Sequence, residues 1–249
     1  MADDEEASGL LKKFMVDVMG HIVESVGWTA KEGEHHTRGL LRMLIISRMG
    51  QLGHPATVAE VRRRFAAHAS GAEKIPADLR APVYNAVMAN GDRATFDQMV
   101  ALYRAEELHE EQDRIARAMG AATDVALLTS ALEFAVSADV RSQDSPFPIC
   151  AVANNPKGRD AAWQFYKSRA KMFKERYEGG QLHNRVVKHT TLNFNKSEMA
   201  EEIKAFFESN FNPAERTVQQ SIENILLNEK WLQRDGDKIK DFLRTKVAS

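Results

Sequence analysis

The sequence predicts an all-α protein, an irregular superhelix of stacked antiparallel helix pairs of the HEAT/ARM kind. Apolar residues recur at spacings of three and four along most of the chain, and strand-like alternation is absent. Short connectors separate about a dozen such segments. Pairs of this length cannot bury a face alone and gain stability from their neighbours, which favours a curved solenoid over a compact bundle. No strict repeat is visible, so a regular TPR or ankyrin array is not expected.

In chain order, Leu10, Leu11, Phe14, Val18, Ile22 and Val26 form one apolar stripe behind an acidic start, Asp3-Asp4-Glu5-Glu6. Residues 1–9 are accordingly expected to be a flexible acidic leader, and residues 10–249 one helical-repeat domain. His36 to Met49 reads as a second helix. Thr57 with Glu60 has capping-box spacing ahead of Val61 and Phe65, as does Thr95 with Gln98 ahead of Met99 and Tyr103. Asp78 is a candidate cap for a helix through Val87, with Asn90-Gly91 as a left-handed stop. Ile115 and Met119 lie on a short helix, and Thr123-Asp124 opens the next. Pro146 and Pro148 predict a non-helical turn over 142–148. Trp163, Tyr166, Ala170, Phe173 and Tyr177 then fit one long helix after Asn155-Pro156, stopped by Gly179-Gly180. Helices near 182–192 and 199–207 follow, then one from Pro213 through Trp231, and a last one from Asp237.

Composition narrows the function. Lys plus Arg is 34 against 35 for Asp plus Glu, a net charge of -1, so there is no electrostatic case for nucleic acid or an anionic membrane. Arg62-Arg63-Arg64 has no interleaved aromatics and reads as a solvated helix face. The single cysteine, Cys150, excludes an internal disulfide framework and reads as a small core residue. Met1 is followed by acids, without the basic and apolar regions of a secretory signal, and the apolar stretches are too short to span a bilayer. These features predict a cytoplasmic protein.

No catalytic motif emerges. His-Glu-x-x-His, the helical zinc signature, is absent; His109-Glu110 lacks its second histidine, Asp113 standing where it is needed. His35 and His36 are adjacent and would point about 100° apart on a helix, which cannot chelate one ion. No phosphate-binding glycine loop occurs. Neither a metal nor another cofactor is expected in the chain.

Several strings resemble the C-terminal domain of gluzincin zinc aminopeptidases of the puromycin-sensitive type. They are Ala77 to Tyr84, Asn90 to Asp92, Arg159 to Phe165, Lys204 to Ser209, and above all Glu215 to Leu232, so that the resemblance runs from about Trp28 to the C-terminus. It implies a superhelical bowl of paired helices that closes over a separate zinc-bearing catalytic domain and encloses peptides. It also implies a parent enzyme that removes N-terminal residues from peptides. The family's His-Glu-x-x-His and Gly-Ala-Met-Glu-Asn motifs are missing here, so the resemblance carries no activity to this chain.

Candidate peptide-contacting residues are Arg216, Gln220 and Glu223 on one helix, with Arg80 and Tyr84, one turn apart, on another. Arg216 is singled out because a cation at a helix start opposes the macrodipole. Trp163, Tyr166, Phe173 and Trp231 have core spacing, and Asn224 and Asn228 suit hydrogen bonds to helix ends. Expected partners are the catalytic domain of the same enzyme and its peptide substrate. The helix from Leu10 to Val26 would present a face for an upstream helix and allow weak self-association. The alternative is a free-standing helical-repeat module that binds other proteins.

Overall fold

The computed structural model describes residues 3–177, 180–210 and 214–247. These hold thirteen helices and no strand, so the chain is all-helical. In order they are α1 (Glu5–Val26), α2 (His36–Gln51), α3 (Pro55–Ala69), α4 (Ala77–Ala89), α5 (Arg93–Ala105), α6 (His109–Met119) and α7 (Val125–Ala135). Then come α8 (Pro146–Asn154), α9 (Arg159–Ser168), α10 (Ala170–Tyr177), α11 (Gln181–Thr191), α12 (Ser197–Ser209) and α13 (Glu215–Val247).

An inner layer runs α2, α4, α6, α8, α11, α13, each packed on the next. The outer helices α3, α5, α7, α9 and α12 back this layer, and α1 bridges from α13 to α2, closing the series into a ring. A ladder of polar side chains joins the C-terminal ends of the inner helices. The Asn90 amide donates to the Gly50 carbonyl at 2.8 Å, Asn155 to those of Gly120 and Ala122 at 2.9 and 2.7 Å, and Asn193 to that of Ala153 at 3.2 Å. Each rung ties the end of one inner helix to that of the one before, so these helices run parallel and finish at one rim. The carbonyls orphaned there by helix termination are thereby satisfied. Small residues allow the close approach this requires. A Cβ at Gly120 would stand 2.7 Å from the Ala151 methyl, and one at Gly50 would collide with Ala86.

Several boundaries differ from the sequence reading. The helix expected from Leu10 begins at Glu5, capped by Asp4, whose carboxylate accepts from the Ala7 amide at 3.0 Å. The acidic residues set apart as a leader therefore start α1. The prolines of 142–148 do not exclude a helix, because Pro146 opens α8 and Pro148 stays in its first turn, where amides lack intrahelical partners. The long helix through Tyr177 is two helices, starting at Arg159 and interrupted at Arg169 (φ −121°, ψ 17°). Arg169 Nη2 donates to both carboxylate oxygens of Glu133 of α7 at 2.6 and 2.7 Å, which anchors the break. An apolar period does not register a kink of one residue.

The two final helices are one of 33 residues. Gly236 sits inside it at a cost of about 1 kcal/mol against alanine, and packing of α1 along this stretch holds the helix continuous. The cap at Thr57 also shifts, since α3 starts at Pro55 and the Thr57 hydroxyl is buried 2.8 Å from His54 Nδ1. Asp92, not Thr95, caps α5, and Asp124 caps α7 as expected. Pro76 precedes α4 in place of Asp78. Gly91 does not take the left-handed conformation. It is needed for close packing instead, 2.7 Å separating its would-be Cβ from Thr95 Cγ2. The expected stop at Gly179 and start at Pro213 lie outside the described residues.

The main core runs from Ile46 to Ile225. Its centre is aromatic, with Trp163 fully buried, edge-on to Phe206 at 5.3 Å and stacked on Tyr166 at 6.0 Å, and Phe173 beyond. Trp231 departs from its core spacing and is 42% exposed. Cys150 is buried, and desolvation pushes its thiol up to about 12, which makes it a poor nucleophile.

Candidate substrate-enclosing wall

Of the five candidate residues, three come together. Arg216, Gln220 and Glu223 project from the N-terminal half of α13, one turn apart, and line a hollow of about 480 Å³. Gln220 and Glu223 also line its neighbour of about 290 Å³, to which Lys188 of α11 and Leu192 just after it contribute. Gln219 donates to Glu223 at 3.1 Å, holding that carboxylate on the helix surface. A cation, amides and a carboxylate along one helix offer weak hydrogen bonds without geometric selectivity, which suits contact with peptide backbone of any sequence. Asn228 donates to the Phe194 carbonyl at 3.2 Å, the helix-end role its position suggested.

Tyr84 and Arg80 belong elsewhere. Tyr84 is fully buried between α3, α4 and α6, its hydroxyl donating to Glu111 at 2.9 Å and lying 3.0 Å from His68 Nε2. The tautomer follows, with His68 Nε2–H donating to Tyr84 while Nδ1 accepts from the Ile75 amide at 3.4 Å. Arg80 pairs with Glu111 at 3.1 Å and donates to the Ile75 carbonyl at 3.2 Å, and Arg114 completes the cluster. Desolvation, then the Arg80 charge, lowers the His68 pKa, and burial with the Glu111 bond raises that of Tyr84. This network joins an outer helix to two inner ones and engages both Arg80 and Tyr84 in holding the fold. Sequence spacing put them one turn apart but could not say which face turned inward.

Sequence reading missed the rest of the inner wall. Arg48 and Gln51 of α2, Asn85 of α4, Arg117 of α6 and Asn154 of α8 line one hollow with Ser8 and Lys12 of α1. Their only signal is that polar residues recur in the last turns of alternate helices.

The ring closes through α1. Asp4 pairs with Lys240 at 2.7 Å, Glu6 with Lys240 at 3.0 Å and with Arg244 at 2.7 Å, and Asp3 with Arg159. Phe14 meets Phe242 edge-on at 6.0 Å. The face expected to await an upstream helix thus finds a downstream one. The bonds from Arg244 and then Lys240 hold the Glu6 carboxyl down to about 2.

Among the described residues no three histidine, cysteine or carboxylate side chains converge. The His35 and His36 rings lie 4.7 Å apart, with His35 Nδ1 held 2.8 Å from Thr37 Oγ1. Among the same residues no helix is long and apolar enough to cross a membrane.

The family model for the ERAP1-like C-terminal domain matches residues 1–227. The chain belongs to this family. The domain is 32% identical to aminopeptidase M1-A of Oryza sativa subsp. japonica over 92% of its length, and 29% identical to aminopeptidase M1 of Arabidopsis thaliana over 99%. It is 24% identical to glutamyl aminopeptidase of Sus scrofa over 96%. In these three proteins the matched region is 26%, 28% and 26% of the whole, so the domain spans about a quarter of the curated relatives it matches. The resemblance to the C-terminal domain of gluzincin aminopeptidases therefore holds.

Proposed function

We propose that this domain is the non-catalytic wall of a zinc aminopeptidase of the puromycin-sensitive type, capping the active site and enclosing peptide substrate. The observation that supports the reading is the series of stacked inner helices, with Arg216, Gln220 and Glu223 lining one hollow on α13. Zinc, and the removal of N-terminal residues from peptides, belong to a catalytic partner domain in a cytoplasmic parent. The wall restricts peptide length and access through weak, sequence-tolerant contacts.

The test mixes the purified domain with a catalytic portion truncated before this region and follows hydrolysis of an aminoacyl amide. Restored cleavage, with none from either piece alone, is the expected result. Failure of two folded pieces to restore it would favour a free-standing interaction module. That second reading draws on an exposed apolar strip on α2, Leu40, Leu41 and Leu44, at 56%, 39% and 54% exposure. Weak self-association through α1 would rest on Leu11 and Val18, at 37% and 49%. Sedimentation at rising concentration tests it, an unchanging monomer counting against it.

A further inference from the structure

At the rim where α2, α4, α6 and α8 end, a hollow of about 470 Å³ gathers Lys12, Arg48, Arg117 and Lys157. These four cations come from α1, α2, α6 and the segment after α8. No aspartate or glutamate is among its described lining residues, although acids and bases balance over the whole chain. Arg117 is paired with Asp113 at 2.7 Å. The side chains of Lys12, Arg48 and Lys157 make no ion pair or hydrogen bond among the described residues.

Compensation of the helix ends is the simplest alternative explanation, and the magnitudes decide against it. A helix C-terminus carries about −0.5 charge, so four ends supply about −2. Those carbonyls are already engaged by Asn90, Asn155, Asn193 and Thr123. With Arg117 paired to Asp113, the other three cations still exceed what remains. The apolar lining is Ala89, Ala121, Ala151 and Pro156, which leaves no socket for a large side chain. Ser8 and Asn154 add neutral hydrogen-bonding groups.

We propose that this hollow binds a small multivalent anion, a phosphorylated or polycarboxylate molecule. Because Lys12 and Ser8 belong to α1 and the other ligands to the inner layer, the anion ties the closing helix to the wall. Its occupancy therefore regulates how firmly the ring is shut. The site is independent of the aminopeptidase reading.

Calorimetric titration of the 249-residue chain at constant ionic strength tests it, with tripolyphosphate and citrate as the two anion classes. Acetate and an N-acetylated tripeptide with a free carboxylate are the monovalent controls. One-to-one binding of tripolyphosphate or citrate is expected, weakened ~10-fold by Arg48→Gln or Lys157→Gln, the loss of one charge-assisted hydrogen bond. Lys204→Gln on α12, whose residues do not line the hollow, should leave it unchanged, and the bound anion should slow hydrogen exchange in α1. All three positions are exposed, and unliganded melting temperatures verify folding. Three results would overturn the site: no saturable binding, equal affinity in Arg48→Gln and Lys204→Gln, or a tripeptide binding as tightly as the multivalent anions. The last would mark a peptide-carboxylate subsite.

Discussion

The middle of the ring and its closure are held by different forces. Around α9, α11 and α12 the helices share one aromatic core, and α3, α4 and α6 are joined by a buried polar network. At the closure, α1 buries only Ala7, Val23 and Val26 and adds a small separate cluster with Ile45 and Met49. It meets α13 through the Phe14–Phe242 contact and exposed ion pairs. Apolar burial responds little to the screening of charge by salt, whereas exposed ion pairs are screened and individually weak. The same ring is therefore rigid through most of its circumference and conditional at one joint.

The largest expected effect breaks the rigid side. Trp163→Ala removes the ring at the centre of the aromatic cluster and should cost about 3–5 kcal/mol in denaturant unfolding. A loss below about 1 kcal/mol would show that this centre is not where stability resides. Next, Glu111→Ala strands Arg80, Arg114 and the Tyr84 hydroxyl in a site where Glu111 is only 3% exposed, at a cost of about 3 kcal/mol. A double-mutant cycle with Arg80→Ala should return coupling between them, and strict additivity would dissolve the network.

Acidity separates the two regions by window. His68 has a folded pKa below its unfolded one, so the stability it contributes is present above the unfolded value, about 6.5, and is lost as pH falls below it. Glu6 is likewise lowered, to about 2, so the closure is intact above its unfolded pKa of about 4.3 and fails as pH falls toward about 2. Hydrogen exchange should thus accelerate at the junction of α3, α4 and α6 before it does in α1. Simultaneous onset would contradict the separation. The smallest effect is that of salt. Raising it to ~1 M, where the screening length falls to about 3 Å, should speed exchange in α1 several-fold and leave α9 unchanged.

How much was legible in the sequence follows the same division. Trp163, Tyr166 and Phe173 announced a buried face, because side chains at helical spacing must share one side of a helix wherever that helix goes. Trp231 obeyed the same spacing yet lies half-exposed, because the described residues cover that face of α13 only in part. Among the site residues, Arg216, Gln220 and Glu223 stayed together since one helix carries them. Arg48, Asn85, Arg117 and Asn154 could not be assembled in advance, because only the stacking of four helices makes them neighbours.

What the sequence determined by itself was local: most of the helices, the cap at Asp124, and many of the faces they must bury, all set by contacts within a few residues. The family strings, centred on Glu215 to Leu232, were equally legible because they are matters of residue order. The tertiary structure alone decided the fusion of the last helices, the inward or outward facing of Arg80 and Tyr84, and the closure of α1 on α13. Each of these depends on energies between segments far apart in the chain. Hydrogen-bond geometry, burial and charge pairing at such range are properties of the packed ring, and no window of sequence contains both partners.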